Sequence, residues 1–146
     1  MVIDMELRDY AVNIVLKYLD FMDKDYVYDD KMIKIKEKLD GTTLDVYVKI
    51  TNNWVIIFAL GLDLGELDKD TKLKVLEKLL NLNANSLEVK YSLEDNKIMI
   101  SVESNIYTLT FDNFYMEYGA VPFGYKQLLK EVIPIIMGQK KEQGEA

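Results

Sequence analysis

A chain of 146 residues that is 49% apolar and 29% charged has enough material for one domain with a buried core, in the balance of an ordinary water-soluble protein. Its formal charge of −7 and pI near 4.7 argue against a surface for nucleic acid or anionic membrane, since phosphate is held by clustered cations and the sequence displays no cluster. With no Cys and no His, disulfides, thiolate nucleophiles, Ser/His triads and most transition-metal sites are excluded, and any remaining chemistry must use carboxylates, Lys or Tyr.

Asp4 is placed to cap a first helix in which Leu7, Tyr10, Ala11, Ile14, Tyr18 and Phe21 recur at helical spacing. The following stretch carries Asp23, Asp25, Asp29 and Asp30 around two tyrosines. A calcium loop would need a third ligand where Val27 stands and a closing Glu in register, so a solvated acidic loop is expected.

Three strands come next. Ile33 and Ile35 alternate with Lys34 and Lys36, and Asp40-Gly41 offers a two-residue hairpin turn of type I′. Leu44, Val46, Val48 and Ile50 alternate with Asp45, Tyr47 and Lys49 in a half-buried second strand. The third strand is apolar on both faces, with Trp54, Ile56, Phe58 and Leu60 on one side and Val55, Ile57 and Ala59 on the other. Such a strand is either covered twice, by a helix and by a second copy, or it exposes a patch for a partner. Its run from Trp54 to Leu60 is also the longest apolar run in the chain and far too short for a membrane span of roughly 20 residues. No leader is visible, so a cytoplasmic protein is expected.

The connector from Gly61 to Asp70 is acidic, and Asp68 or Asp70 can cap the helix that follows. In that helix Leu73, Val75, Leu76, Leu79, Leu80 and Leu82 fill about half the circumference, wider than the stripe of about 100° that one sheet requires. Burial on two sides is implied, with Val75, Leu79 and Leu82 the expected contacts to a second copy. Asn83, Asn85 and Ser86 can end the helix. The period then changes to two: Leu87, Val89, Tyr91 and Leu93, an acidic turn at Glu94-Asp95-Asn96, then Ile98, Ile100 and Val102 predict a second hairpin. A last helix begins near Thr108, and Gly119 and Pro122 are expected to break it into two segments. Its aromatic group of Phe114, Tyr115, Tyr118, Phe123 and Tyr125 fits core better than a base-stacking platform at this net charge. The remainder from Gly138 has the composition of a disordered tail.

The elements run α-βββ-α-ββ-α, an α+β fold with helices packed on an antiparallel sheet, forming one domain over 1–137 with a tail at 138–146. With the Leu-rich helix, its Asn-containing break and the hairpin of LLNLNANSLEVKYSLEDNKIMISVES, this order resembles the type III secretion chaperone-like superfamily. A related bacterial sensory-transduction-regulator family looks similar in the middle of the chain. The resemblance implies a small acidic dimer that binds polypeptide and brings no catalytic residue.

Two classes of function are left. The first is a non-enzymatic, chaperone-like binding module, expected as a homodimer with no cofactor or metal and with no nucleic-acid or membrane partner. Trp54, Ile56 and Phe58 would receive an extended apolar peptide flanked by Lys or Arg, the flanks chosen to complement the negative net charge. The alternative is a small enzyme using carboxylates, Lys or Tyr, for which magnesium would be the natural cation.

Overall fold

The computed structural model describes the backbone of residues 2–29, 32–86 and 88–145, and side chains over 7–29, 32–86 and 88–138. Three helices, α1 (Val2–Phe21), α2 (Lys69–Asn85) and α3 (Phe111–Glu145), pack on a six-stranded antiparallel sheet. The strands are β1 (Tyr26–Asp29), β2 (Met32–Leu39), β3 (Thr42–Ile50), β4 (Trp54–Asp63), β5 (Lys90–Glu94) and β6 (Lys97–Asn105), ordered β1-β2-β3-β4-β6-β5 across the sheet. The α+β class and the element order read from the sequence stand, with one addition. Tyr26–Asp29, expected as acidic loop, pairs with β2 as a short edge strand. Asp30, the last carboxylate of the calcium-loop idea, lies outside the described residues.

Alternation decides which strand face is covered. Ile33, Ile35, Val46, Val48, Ile50, Val55, Ile57, Ala59, Ile98 and Ile100 are all buried on one side, joined there by Val15 and Leu19 of α1, Val75 and Leu79 of α2 and Phe114, Val121 and Leu128 of α3. All three helices thus occupy the same face, with α3 crossing β3, β4 and β6.

The two hairpin turns exchange the expected geometry. At Asp40-Gly41 only Gly41 has positive φ (74°), so the type I′ turn predicted there is not formed. Asp95 and Asn96 both have positive φ, 49° and 67°, which is the type I′ signature, in the hairpin between β5 and β6.

The helices depart from the sequence reading in phase and extent. α1 begins at Val2, two residues before the expected cap at Asp4, and turns Val12, Val15 and Leu19 inward while Tyr10 and Phe21 stay exposed. For α2 the cap is Asp68, whose Oδ1 accepts from the Thr71 amide at 2.8 Å. Asn83 does not end this helix. Its side-chain amide donates to the Tyr91 carbonyl at 2.9 Å and accepts from the Tyr91 amide at 2.7 Å, fastening α2 to β5 as a strand neighbour would.

The expected break at Gly119 and Pro122 is absent, and α3 continues through both Pro122 and Pro134. A proline inside a helix costs about 3 kcal/mol, because it removes one hydrogen bond and crowds the preceding turn. Tyr118 and Val121 before Pro122 and Leu128 and Val132 after it are buried in one core, and each such side chain contributes about 1.5–3 kcal/mol, so burial on both sides outweighs the cost. The expectation of a disordered tail at 138–146 falls on residues whose side chains, from 139 on, lie outside those described.

Candidate functional site

With every helix on one face, the other face of the sheet is left uncovered by the described residues. β4 presents Trp54, Ile56 and Phe58 there, the set expected to meet a partner, together with Leu60, while Val55, Ile57 and Ala59 point into the core. Trp54 is 46% exposed and Leu60 37%, and Ile56 and Phe58 are half-buried only because their strand neighbours flank them. In the register Tyr47 of β3 lies opposite Phe58, and the two rings stack with centroids 5.2 Å apart and planes inclined by 19°. On the far side Met99 of β6 lies opposite Leu60. The result is an apolar stripe centred on β4 and about 20 Å long at the rise of a strand. Thr51 fixes one end, its hydroxyl accepting from the Trp54 amide at 3.0 Å.

The stripe is bordered by charge that the linear sequence hides. β2 places Lys34, Lys36 and Lys38 on the open face and β3 adds Lys49 beside Ile56, against one carboxylate on that face of these two strands, Asp45, since Glu37 of β2 points to the helix side. Lys34 reaches Asp45 at 3.6 Å, whereas Lys36, Lys38 and Lys49 form no ion pair among the described residues. On the other border Lys90 and Glu103 neutralise each other at 2.6 Å. The cation cluster that the sequence did not display is assembled by strand pairing, so the net charge is a poor guide to this face. A signal was present in the alternation of Lys34, Lys36 and Lys38 with Ile33 and Ile35, which puts all three lysines on the side away from the core.

The residues expected at a dimer contact are not together on the surface. Val75 and Leu79 belong to the chain's own core at 0% and 5% exposure, and the side α2 turns outward carries Leu73 (51%) and Leu80 (71%) instead. A helix wedged between sheet and α3 buries more than one stripe without a second copy, which accounts for the wide apolar arc. Leu82 is half-buried and lines a groove of about 690 Å³ between the end of α2, the start of β5 and α3, with Val89, Met116 and Phe123. The aromatic group of α3 is divided as well, Phe114 and Tyr118 in the core and Tyr115 and Phe123 at the surface.

One cluster brings together the residue types an enzyme of this composition would use. Around a recess of about 350 Å³, Tyr118 Oη donates to Glu37 Oε2 at 2.6 Å and Lys24 Nζ donates to Glu37 Oε1 at 2.8 Å. Burial, then the hydrogen bond and charge of Glu37, push the Tyr118 hydroxyl far above its ordinary range, so it holds its proton and is a poor base or nucleophile. The carboxylate that does shift, Asp68, moves down because the Thr71 backbone and side chain donate to it, as a helix cap does. Among the described residues no three carboxylates gather to hold a metal ion.

Sheet, one-sided helix layer and open apolar face define an α+β protein with an exposed apolar stripe on its sheet. In fold the chain is similar to YbjN of E. coli, whose structure is that of a proposed transcription regulator. The TM-score is 0.53 at 15% identity, over 90% of this chain and 93% of that one, a likeness of fold alone. No protein-family model and no curated protein sequence matches the chain. The likeness is to the fold of a proposed regulator, and the secretion-chaperone side of the resemblance noted above is not confirmed by it. No described helix is long and apolar enough to cross a membrane.

Proposed function

We propose that the chain is a non-enzymatic module that binds a polypeptide partner on the open face of its sheet. The observation that carries this reading is the stripe of Trp54, Ile56, Phe58 and Leu60, set on a rigid central strand and left uncovered by all three helices. Large apolar side chains kept together at a surface cost solubility and are a mark of interaction sites. The catalytic alternative is weakened by the state of the Lys24, Glu37 and Tyr118 cluster, whose hydrogen bonds are spent on one another. The fold of a proposed regulator is in keeping with binding rather than turnover.

Trp54→Ala and Phe58→Ala test the proposal. Both should leave the melting temperature nearly unchanged while abolishing capture of apolar peptides from a library. If both melt the fold, the face is structural and binding must be sought elsewhere. Homodimerisation belongs to the same proposal, with the Leu73 and Leu80 side of α2 as the surface available to it. Sedimentation giving a species of 17.0 kDa at micromolar concentration would remove it.

A further inference from the structure

We infer that the occupant of the open face is an amphipathic helix of a partner polypeptide, lying along β4 with its apolar stripe down and an acidic flank over β2 and β3. This rests on reading that face as the polypeptide-binding surface. Three features of the face select a helix of this chemistry.

The first is shape. At Ile56 the stripe is β4 alone, between Lys49 and Glu103, and at Phe58 and Leu60 the apolar group reaches from Tyr47 on β3 across β4 to Met99 on β6. At a strand spacing of about 4.8 Å this is about 10 Å wide, which is the diameter of a helix with its side chains. The length of about 20 Å is covered by about 14 helical residues at about 1.5 Å each.

The second is the backbone. Trp54, Ile56 and Phe58 point out of the sheet plane, and the N–H and C=O groups of β4 are committed to β3 and β6 on either side. An extended segment lying flat on this face would find no ladder to join and would leave its own polar groups without partners against apolar side chains. A helix satisfies those groups internally and meets the face with side chains alone. The extended peptide expected from the sequence is therefore replaced by a helical one.

The third is charge. Lys36, Lys38 and Lys49 stand unpaired among the described residues on the β2 and β3 border, while on the β5 and β6 border Lys90 is paired with Glu103 and Lys97 lies opposite both Asp63 and Glu94. Asp29, the other carboxylate on that side of the face, sits out on the edge strand opposite Met32. Carboxylates along one flank of the bound helix would lie over the lysines, and the asymmetry fixes which way round the helix sits. This reverses the basic flanks expected from the net charge. A nucleic-acid strand is disfavoured although aromatics and lysines stand side by side. It would carry one phosphate per nucleotide across a face with scattered lysines, several carboxylates and no Arg, on a chain of net charge −7.

The test uses two fluorescent peptides of about 15 residues, each with Leu at helical a/d spacing. One has Glu along a single flank and the other Lys at the same positions, and an unstructured apolar peptide with proline breaks and a single-stranded oligo-dT complete the set. Anisotropy should show the Glu peptide bound at least about tenfold more tightly than the Lys peptide, with the gap narrowing as salt rises. Lys36→Glu/Lys38→Glu/Lys49→Glu should invert that order, and the triple Gln variant should level it, with melting temperatures recorded for both. Tighter binding of the Lys peptide overturns the acidic flank. Binding of the unstructured peptide with neither helix bound overturns the helix but keeps the face as a polypeptide site. Tighter binding of oligo-dT, lost with Phe58→Ala, overturns the polypeptide reading itself. So does a failure of all the peptides to bind while Trp54 becomes protected as protein concentration rises, which would assign the face to a second copy.

Discussion

Tyr118, in the second turn of α3, donates its hydroxyl to Glu37 of β2 at 2.6 Å across 81 residues of sequence, with Lys24 holding the other carboxylate oxygen and sitting 5.6 Å from the Tyr118 ring centroid. Three elements are tied at one point between the sheet and the helix layer. Tyr118→Phe removes a buried hydrogen bond to a charged group and should cost about 1.5–3 kcal/mol in urea unfolding. A variant as stable as the wild type would mean that the contact contributes nothing.

The same hydroxyl makes stability fall at high pH. Its pKa is raised in the folded state by burial and Glu37, and that of Tyr91 is raised by burial, so above about pH 10 the unfolded chain loses these protons first. The contribution is complete below about pH 10 and is lost as pH rises, by about 1.4 kcal/mol per pH unit for each such group. Urea midpoints should hold level up to about pH 9.5 and then drop, with a shallower drop in Tyr118→Phe through the retained Tyr91. Equal slopes in the two proteins would contradict this assignment.

Two glycines of α3 should respond in opposite directions to alanine. A Cβ at Gly124 would meet Val89 Cγ2 at 3.0 Å and Ile100 Cγ2 at 3.1 Å, where Tyr91 Oη also donates to the Gly124 carbonyl and holds α3 against the sheet. Gly119→Ala meets nothing within 4 Å. Gly119→Ala should stabilise by about 0.5–1 kcal/mol through helix propensity, and Gly124→Ala should destabilise by about 1–3 kcal/mol through overpacking. Thermal melts of the pair decide it.

The position of α2 separates core from surface within a few residues. Val75→Ala and Leu79→Ala should each cost about 2–4 kcal/mol at any protein concentration, whereas Leu80→Ala, at 71% exposure, should change the stability of the dilute monomer by less than about 0.5 kcal/mol. Equal costs at Leu79 and Leu80 under dilute conditions would contradict this placement, and a Leu80 cost that grows with concentration is the mark of a second copy on the outward side of α2.

Strands were legible where one face is buried, because a period of two leaves a plain trace: Ile33 and Ile35, Val46 and Val48, and Ile98 and Ile100 all lie where alternation puts them. The two apolar faces of β4 were legible too, but nothing in alternation says which face the helices choose. That depends on the three helices sharing one side, a tertiary outcome. α1 is rich in apolar residues around its circumference, so its phase was ambiguous and Val12, Val15 and Leu19 won over Tyr10 and Phe21. Local rules failed at Pro122, where long-range burial overrides a local penalty, and at Asn83, whose role needs Tyr91 beside it. The lysine border required the pairing of β2 with β3, which no linear window contains.

Trp54 is the only tryptophan of the chain and stands on the open face at 46% exposure, so its emission reports occupancy of that face without a label. Titration with the Glu-flanked helical peptide should shift the emission to the blue and protect it from iodide quenching, saturating at the same concentration as the anisotropy signal. Binding by anisotropy with the Trp54 spectrum and quenching unchanged would place the partner elsewhere and contradict the assignment of the open sheet face as the binding surface.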